Sequence, residues 1–96
     1  MAVYLIVDTK ISDPAIYEDY KARARPLIEK HGGEYLARGG ALEVFEADLW
    51  HPTRLVIIRF PNIEAARAWR DDPAYAECRA IRQSVAKSTL AVVEGL

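Results

Sequence analysis

HGGEYLARGG, residues His31 to Gly40, and RLVIIRFP, residues Arg54 to Pro61, decide how this chain folds. Glu34 to Arg38 is a short β-prone run held between two glycine pairs, Gly32-Gly33 and Gly39-Gly40. Gly32 supplies the left-handed residue that ends a preceding helix. The Gly39-Gly40 pair permits a bulge or a tight reversal, after which Leu42 to Ala47 reads as extended again. Asp48 to Thr53 reads as a loop. Arg54 to Phe60 is the strongest strand of the chain, and Pro61 stops it.

Upstream, Val3 to Thr9 reads as the first strand. Ser12-Asp13-Pro14 opens a helix, with Ser12 or Asp13 as cap and Pro14 where amide donors lack partners anyway. Ile16, Tyr20, Ala24 and Leu27/Ile28 recur at helical spacing as one apolar stripe, and Pro26 predicts a kink within it. Downstream, Asn62 caps a second helix whose apolar positions include Ile63, Ala66 and Trp69. Asp71-Asp72-Pro73 breaks it, and a further helical piece runs from about Ala74 to Ala86. Ser88 to Glu94 is the last strand. The order β-α-β-β-α-β over residues 1–96 is one α+β, ferredoxin-like domain, with an antiparallel sheet and both helices on one face.

A sheet covered on one side should alternate to polar residues on the other. Here it does not. Val3, Leu5 and Val7 oppose Tyr4, Ile6 and Asp8, and Val56, Ile58 and Phe60 oppose Leu55, Ile57 and Arg59. In the last strand Ala91 and Val93 oppose Leu90, Val92 and Glu94. The charge-free sets are assigned to the helix side; the others, with Leu36 and Arg38, to the open side. Leaving Ile6, Leu36, Leu55, Ile57, Leu90 and Val92 in water forgoes on the order of 10 kcal/mol. That rivals the whole stability of a small domain, about 5–15 kcal/mol. A homodimer in which two such sheets face each other across a two-fold axis, forming a dimeric α/β barrel, would bury the patch.

Composition narrows the function classes. The 96 residues carry a formal net charge of −1, so no basic field supports nucleic-acid or anionic-membrane binding. No apolar stretch approaches the length of a membrane span. The opening MAVYLIVDTK reads as a strand rather than a leader, so a cytoplasmic protein is expected. Cys78 stands alone and reads as a helix-packing residue. Two isolated histidines and one cysteine show no metal-ligand spacing, and neither glycine pair matches a phosphate or dinucleotide fingerprint. Neither metal nor cofactor is expected.

Several residues are candidates for chemistry. With the first and third strands taken as parallel neighbours, Asp8 and Arg59 fall at one end of one face. They form either the polar end of a pocket or a structural ion pair. Arg38 suits a bidentate grip on a carboxylate or phosphate, and Gly39 and Gly40 would let a ligand approach, unless they serve only to bend the strand. His31, in the last turn of the first helix, is the best general acid or base, with Asp8 as the second proton carrier. His51 reads as solvent-facing. Trp50, Trp69 and Tyr75 are candidates to line a cavity, although aromatics at helical spacing equally build a core. Arg82, about two turns after Tyr75, is the helical arginine to test.

The motifs resemble the uncharacterised DUF1330 family, within the dimeric α/β-barrel superfamily. The likeness rests on D-P-x-x-Y at Asp13, Pro14 and Tyr17, and on H-G-G-x-Y-L-x-R-G-G from His31 to Gly40. It continues through W-x-P-x-R at Trp50, Pro52 and Arg54, then R-L-V-I-I-x-F-P to Pro61. A-x-A-W at Ala66 and Trp69, P-x-Y at Pro73 and Tyr75, and V-E-G at Val93 to Gly95 complete it. The resemblance implies a ferredoxin-like subunit and a two-sheet barrel, and no assigned activity. Relatives in the superfamily include cofactor-independent monooxygenases, lactone isomerases and haem enzymes, yet a fold does not transfer chemistry. The family commonly has glutamate where Arg59 stands and tyrosine where Arg70 stands. That departure turns the reading from base chemistry toward anion binding.

Two functions follow as expectations. One is a cofactor-independent enzyme of isomerase or monooxygenase type acting on a small anionic or carbonyl compound, held by Arg38 and Arg59. The other is a non-catalytic dimer that binds a small molecule with the same arginines; a purely structural reading, with a solid barrel and the charges fixing register, stands beside both.

Overall fold

The computed structural model describes residues 1–96. Its elements are β1 (Val3–Ile11), α1 (Pro14–Lys30), β2 (Glu34–Arg38), β3 (Leu55–Phe60), α2 (Ile63–Asp71), α3 (Pro73–Val85) and β4 (Ala86–Glu94). The strands form one antiparallel sheet in the order β2-β3-β1-β4. This is the ferredoxin-like architecture, its second helical segment split at Asp72. The split has a local cause: Asp72 both ends α2 and caps α3, its side chain accepting from the Ala74 amide at 2.9 Å. Pro73 then takes the first helical position, where it lacks nothing the helix needs.

One face of the sheet is covered. Val3, Leu5, Val7, Val56, Ile58 and Phe60 are buried against α1, α2 and α3. From α1 the buried residues are Tyr17, Tyr20, Ala24 and Ile28. The stripe therefore begins at Tyr17 rather than Ile16, which is 44% exposed. The helix runs through Pro26 and ends where Gly32 takes φ +80°, the left-handed cap that the sequence asks for.

Four expectations are corrected by the backbone. Leu42–Ala47 forms no strand; the chain between Arg38 and Leu55 is irregular, with Phe45 89% and Leu49 100% exposed. β1 and β3 are antiparallel, not parallel, so Asp8 lies opposite Leu55 while Arg59 lies opposite Tyr4. Four residues of strand separate the two charges, roughly 13 Å. The third correction concerns β4. Leu90 faces Val7 and Val92 faces Leu5, so both lie on the helix side, and Ala91 and Val93 share the open side with Ile6 and Tyr4. Directly opposed residues of an antiparallel pair share a face, and that rule outranks the charge pattern that had grouped Leu90 with Glu94.

The fourth is in β2. The bulge expected at Gly39-Gly40 instead falls between Tyr35 and Ala37, where the register against β3 shifts. One extra residue, Leu36, reverses the alternation: Tyr35 opposes Ile58 and Arg38 opposes Val56, both on the helix side. Arg38 thus points away from the open face. That face remains apolar even so, built from Tyr4, Ile6, Leu55, Ile57, Ala91 and Val93.

Candidate functional site

The bulge in β2 turns Arg38 toward the helices, and the same face receives Arg54 from the residue before β3 and Arg82 from α3. These three arginines, with Lys21 of α1, border a small cavity between the sheet and the helices. Its volume is about 30 Å³, room for about two water molecules or an anion the size of formate. Aromatic and aliphatic side chains make the rest of the wall, among them Tyr17, Tyr20, Tyr35 and Trp69. No aspartate, glutamate or histidine borders it.

Arg54, Arg38 and Lys21 are placed by identifiable contacts. The Asp8 carboxylate accepts from the amides of Thr53 and Arg54 at 2.9 and 3.0 Å, and from Trp50 Nε1 at 2.9 Å. Burial works to raise the Asp8 pKa, but these hydrogen bonds outweigh it and hold the carboxyl below the usual range. Asp8 therefore anchors the segment that enters β3 and fixes the backbone of Arg54. The Arg54 guanidinium then lies over the Tyr17 ring, 5.3 Å from its centroid. It also packs on Gly39, where a methyl group would come within 2.6 Å of it. Arg38 lies over the Tyr35 ring at 5.0 Å. Lys21 is paired with Glu18 on the helix surface, whereas no carboxylate lies within ion-pair distance of Arg38, Arg54 or Arg82.

Burial makes that last point consequential. Arg82 is only 7% exposed and Trp69 only 4%. Arg54 Nη1, Arg82 Nε and Trp69 Nε1 are buried without a hydrogen-bond partner, and all three residues border the one cavity. Buried polar donors are rarely left unmatched, and a buried cation without a counter-charge is costly. The three unmatched donors give the cavity the chemistry to receive an acceptor group.

Two of its phenols hold their protons more tightly than a free tyrosine. Tyr20 and Tyr75 share a hydrogen bond at 2.9 Å in the core. Burial, reinforced by the neighbouring Tyr75, pushes the Tyr20 phenol far above its ordinary pKa, so it stays protonated. Tyr35 is also raised, chiefly by burial, with Arg38 opposing the shift. Tyr75 stacks on Trp69 with centroids 4.3 Å apart, which fixes the indole at the cavity wall.

Of the residues singled out in the sequence, the fold brings Arg38, Trp69 and Arg82 to the cavity directly, Tyr75 through Tyr20, and Gly39 through Arg54. The others lie elsewhere. His31 binds Asp72, its Nε2 2.8 Å from Oδ2, and with Lys30 ties the end of α1 to the start of α3. Asp8 and Trp50 pin the β2–β3 connection to one another, outside the cavity. Arg59 stands at the far end of the open face, and Gly40 has open space around it. Cys78 is buried, and its burial pushes the thiol pKa up.

Sequence reasoning missed Tyr17, Tyr20, Tyr35 and Arg54 as a group. One signal was available: Arg54 stands two residues before Val56 and so shares its inward face. The tyrosines were legible as helix and strand positions but not as neighbours.

The family model described as a domain of unknown function, DUF1330, matches residues 2–96. No curated protein matches the chain. Among solved structures, a protein of unknown function from Rhodopseudomonas palustris is 20% identical with a TM-score of 0.79, over 99% of this chain and 82% of that one. SnoaB, a cofactor-independent oxygenase from Streptomyces nogalater, is 15% identical with a TM-score of 0.70, over 99% and 93%. A dimeric ferredoxin-like protein of unknown function from Jannaschia sp. is 12% identical with a TM-score of 0.73, over 99% and 100%. At these identities the likeness is one of fold.

Proposed function

Because the chain belongs to the DUF1330 family, whose description names no reaction, we propose its role from the cavity itself: it binds a small anionic or carbonyl compound there. The carrying observation is the convergence of three unpartnered buried donors, from Arg54, Trp69 and Arg82, on one space. In the finer reading the protein is an enzyme of the cofactor-independent kind, the description SnoaB carries. Its cationic wall would stabilise negative charge developing on a substrate oxygen, the preorganised electrostatics that carries much of enzymatic rate enhancement. One observation favours the non-catalytic alternative. The wall holds no carboxylate or imidazole, and Tyr20 keeps its proton, so the cavity offers no evident side-chain base.

The assembly belongs to the same proposal. The apolar face of Tyr4, Ile6, Leu55, Ile57, Ala91 and Val93 packs against its copy in a homodimer, leaving the helix side with its cavity free. The Jannaschia structure is described as dimeric, which agrees with this packing. Ile57→Asp should then yield monomers or aggregates in sedimentation; an unchanged dimer would remove the packing.

Calorimetric titration with formate tests the cavity. Wild type should bind it saturably, and Arg82→Met should abolish binding without lowering the melting temperature, since it removes an unpaired buried charge. Formate binding that Arg82→Met leaves intact would exclude this cavity as the site.

A further inference from the structure

A second space lies on the helix side, a groove of about 310 Å³ between α2 and β4. Its walls are Ile63 and Ala66 of α2, Leu90 and Val92 of β4, with Leu5 beneath. Leu5, Trp69 and Leu90 border both this groove and the cationic cavity. The two spaces are therefore neighbours across three side chains; cations converge on the first, and the second is mostly apolar, with Arg67 and Arg70 at its border. The indole that separates them points an unpartnered, buried N–H donor from a ring shared by both. At about 310 Å³ the groove is within the size range of small-molecule sites, whereas the cavity alone admits only a head group.

Resting on the cavity reading above, the geometry points to an amphipathic monocarboxylate as the ligand class. Its carboxylate sits among Arg54, Arg82 and Trp69, and a short aliphatic body passes Trp69 to lie in the groove along Leu5, Leu90 and Val92. Apart from the Trp69 N–H and the two arginines at its border, the groove supplies no hydrogen-bonding partner for a polar body. Arg67 and Arg70 border it, but Arg70 is held by Asp71 at 2.8 Å, so Arg67 is the only cation there without a carboxylate partner.

Titration with formate, butyrate and hexanoate reads the body separately from the head. Each buried methylene should raise affinity about threefold to fourfold, so hexanoate, five carbons longer, should exceed formate by roughly 200- to 1000-fold. Val92→Phe, which fills the groove, should return hexanoate to within about tenfold of formate; formate titration of the same variant reports whether the cavity is intact. Formate binding with no gain along the series overturns the groove assignment and leaves the cavity reading standing. Binding of none of the three acids removes both. If Arg67→Met, rather than Arg82→Met, abolishes hexanoate binding, the head lies at the groove rim and the proposed orientation is overturned. The chain-length series on the wild-type protein decides the matter even if Val92→Phe does not fold.

Discussion

Gly39 and Gly40 are adjacent and chemically identical, yet substitution should be costly at the first and nearly neutral at the second. Gly39 has φ +69°, where a side chain costs about 1–2 kcal/mol of backbone strain. In a domain of this size each kcal/mol shifts the melting temperature by about 4–8 °C, so Gly39→Ala should lower it by roughly 5–15 °C. The added methyl would also stand 2.6 Å from Nε and Nη2 of Arg54, and the guanidinium must move. Losing one charge-assisted hydrogen bond of about 1.5–3 kcal/mol should weaken formate binding roughly 10- to 100-fold. Gly40 has no positive φ and nothing within 4 Å of its virtual Cβ, so Gly40→Ala should change melting by no more than about 2–4 °C. Differential scanning calorimetry and formate titration on both variants make the comparison. Equal melting temperatures and equal formate affinities would refute the claim that Gly39 seats Arg54.

The Tyr20–Tyr75 pair should show coupling: either single change to Phe strands the other hydroxyl in the core and costs about 1–3 kcal/mol, while the double change costs less than the sum. Denaturant unfolding of the four proteins measures this. Asp72 is held at about pKa 2, below its ordinary 3.8, first by His31, then by the Ala74 amide and Lys30. Its folded pKa is depressed, so its stabilising effect is complete above about pH 4 and is lost as pH falls toward 2. Melting curves of Asp72→Asn should therefore show a shallower acid limb than wild type over that window. Asp8→Ala removes the carboxylate that holds Trp50, Thr53 and Arg54, and should speed limited proteolysis at the exposed Phe45 and Leu49. Cleavage at the wild-type rate would show that other contacts hold the segment.

Much of the fold was legible because local chemistry decides it. The Asp13-Pro14 start, the Gly32 stop, the Asn62 cap and the Asp72-Pro73 break each act through backbone groups of their immediate neighbours. The candidate site was legible only in pieces. Arg38, Tyr75 and Arg82 stood out as residue types, but their meeting depends on one inserted residue in β2 and on where α3 lies over α1. His31 and Asp8 looked like proton carriers because position in the chain says nothing about Asp72 or the Thr53 amide waiting across the fold.

Sequence alone determined the order of elements, the ends of the helices and the apolar character of both sheet faces, since each follows from short-range sterics or two-residue alternation. Only the tertiary structure decided that Arg82 and the Nη1 of Arg54 are buried without a counter-charge beside Trp69. Register does this: β1 runs antiparallel to β3, and the Leu36 bulge reverses every facing after it. A shift of one residue between strands exchanges inside for outside, and no local preference in the chain records it.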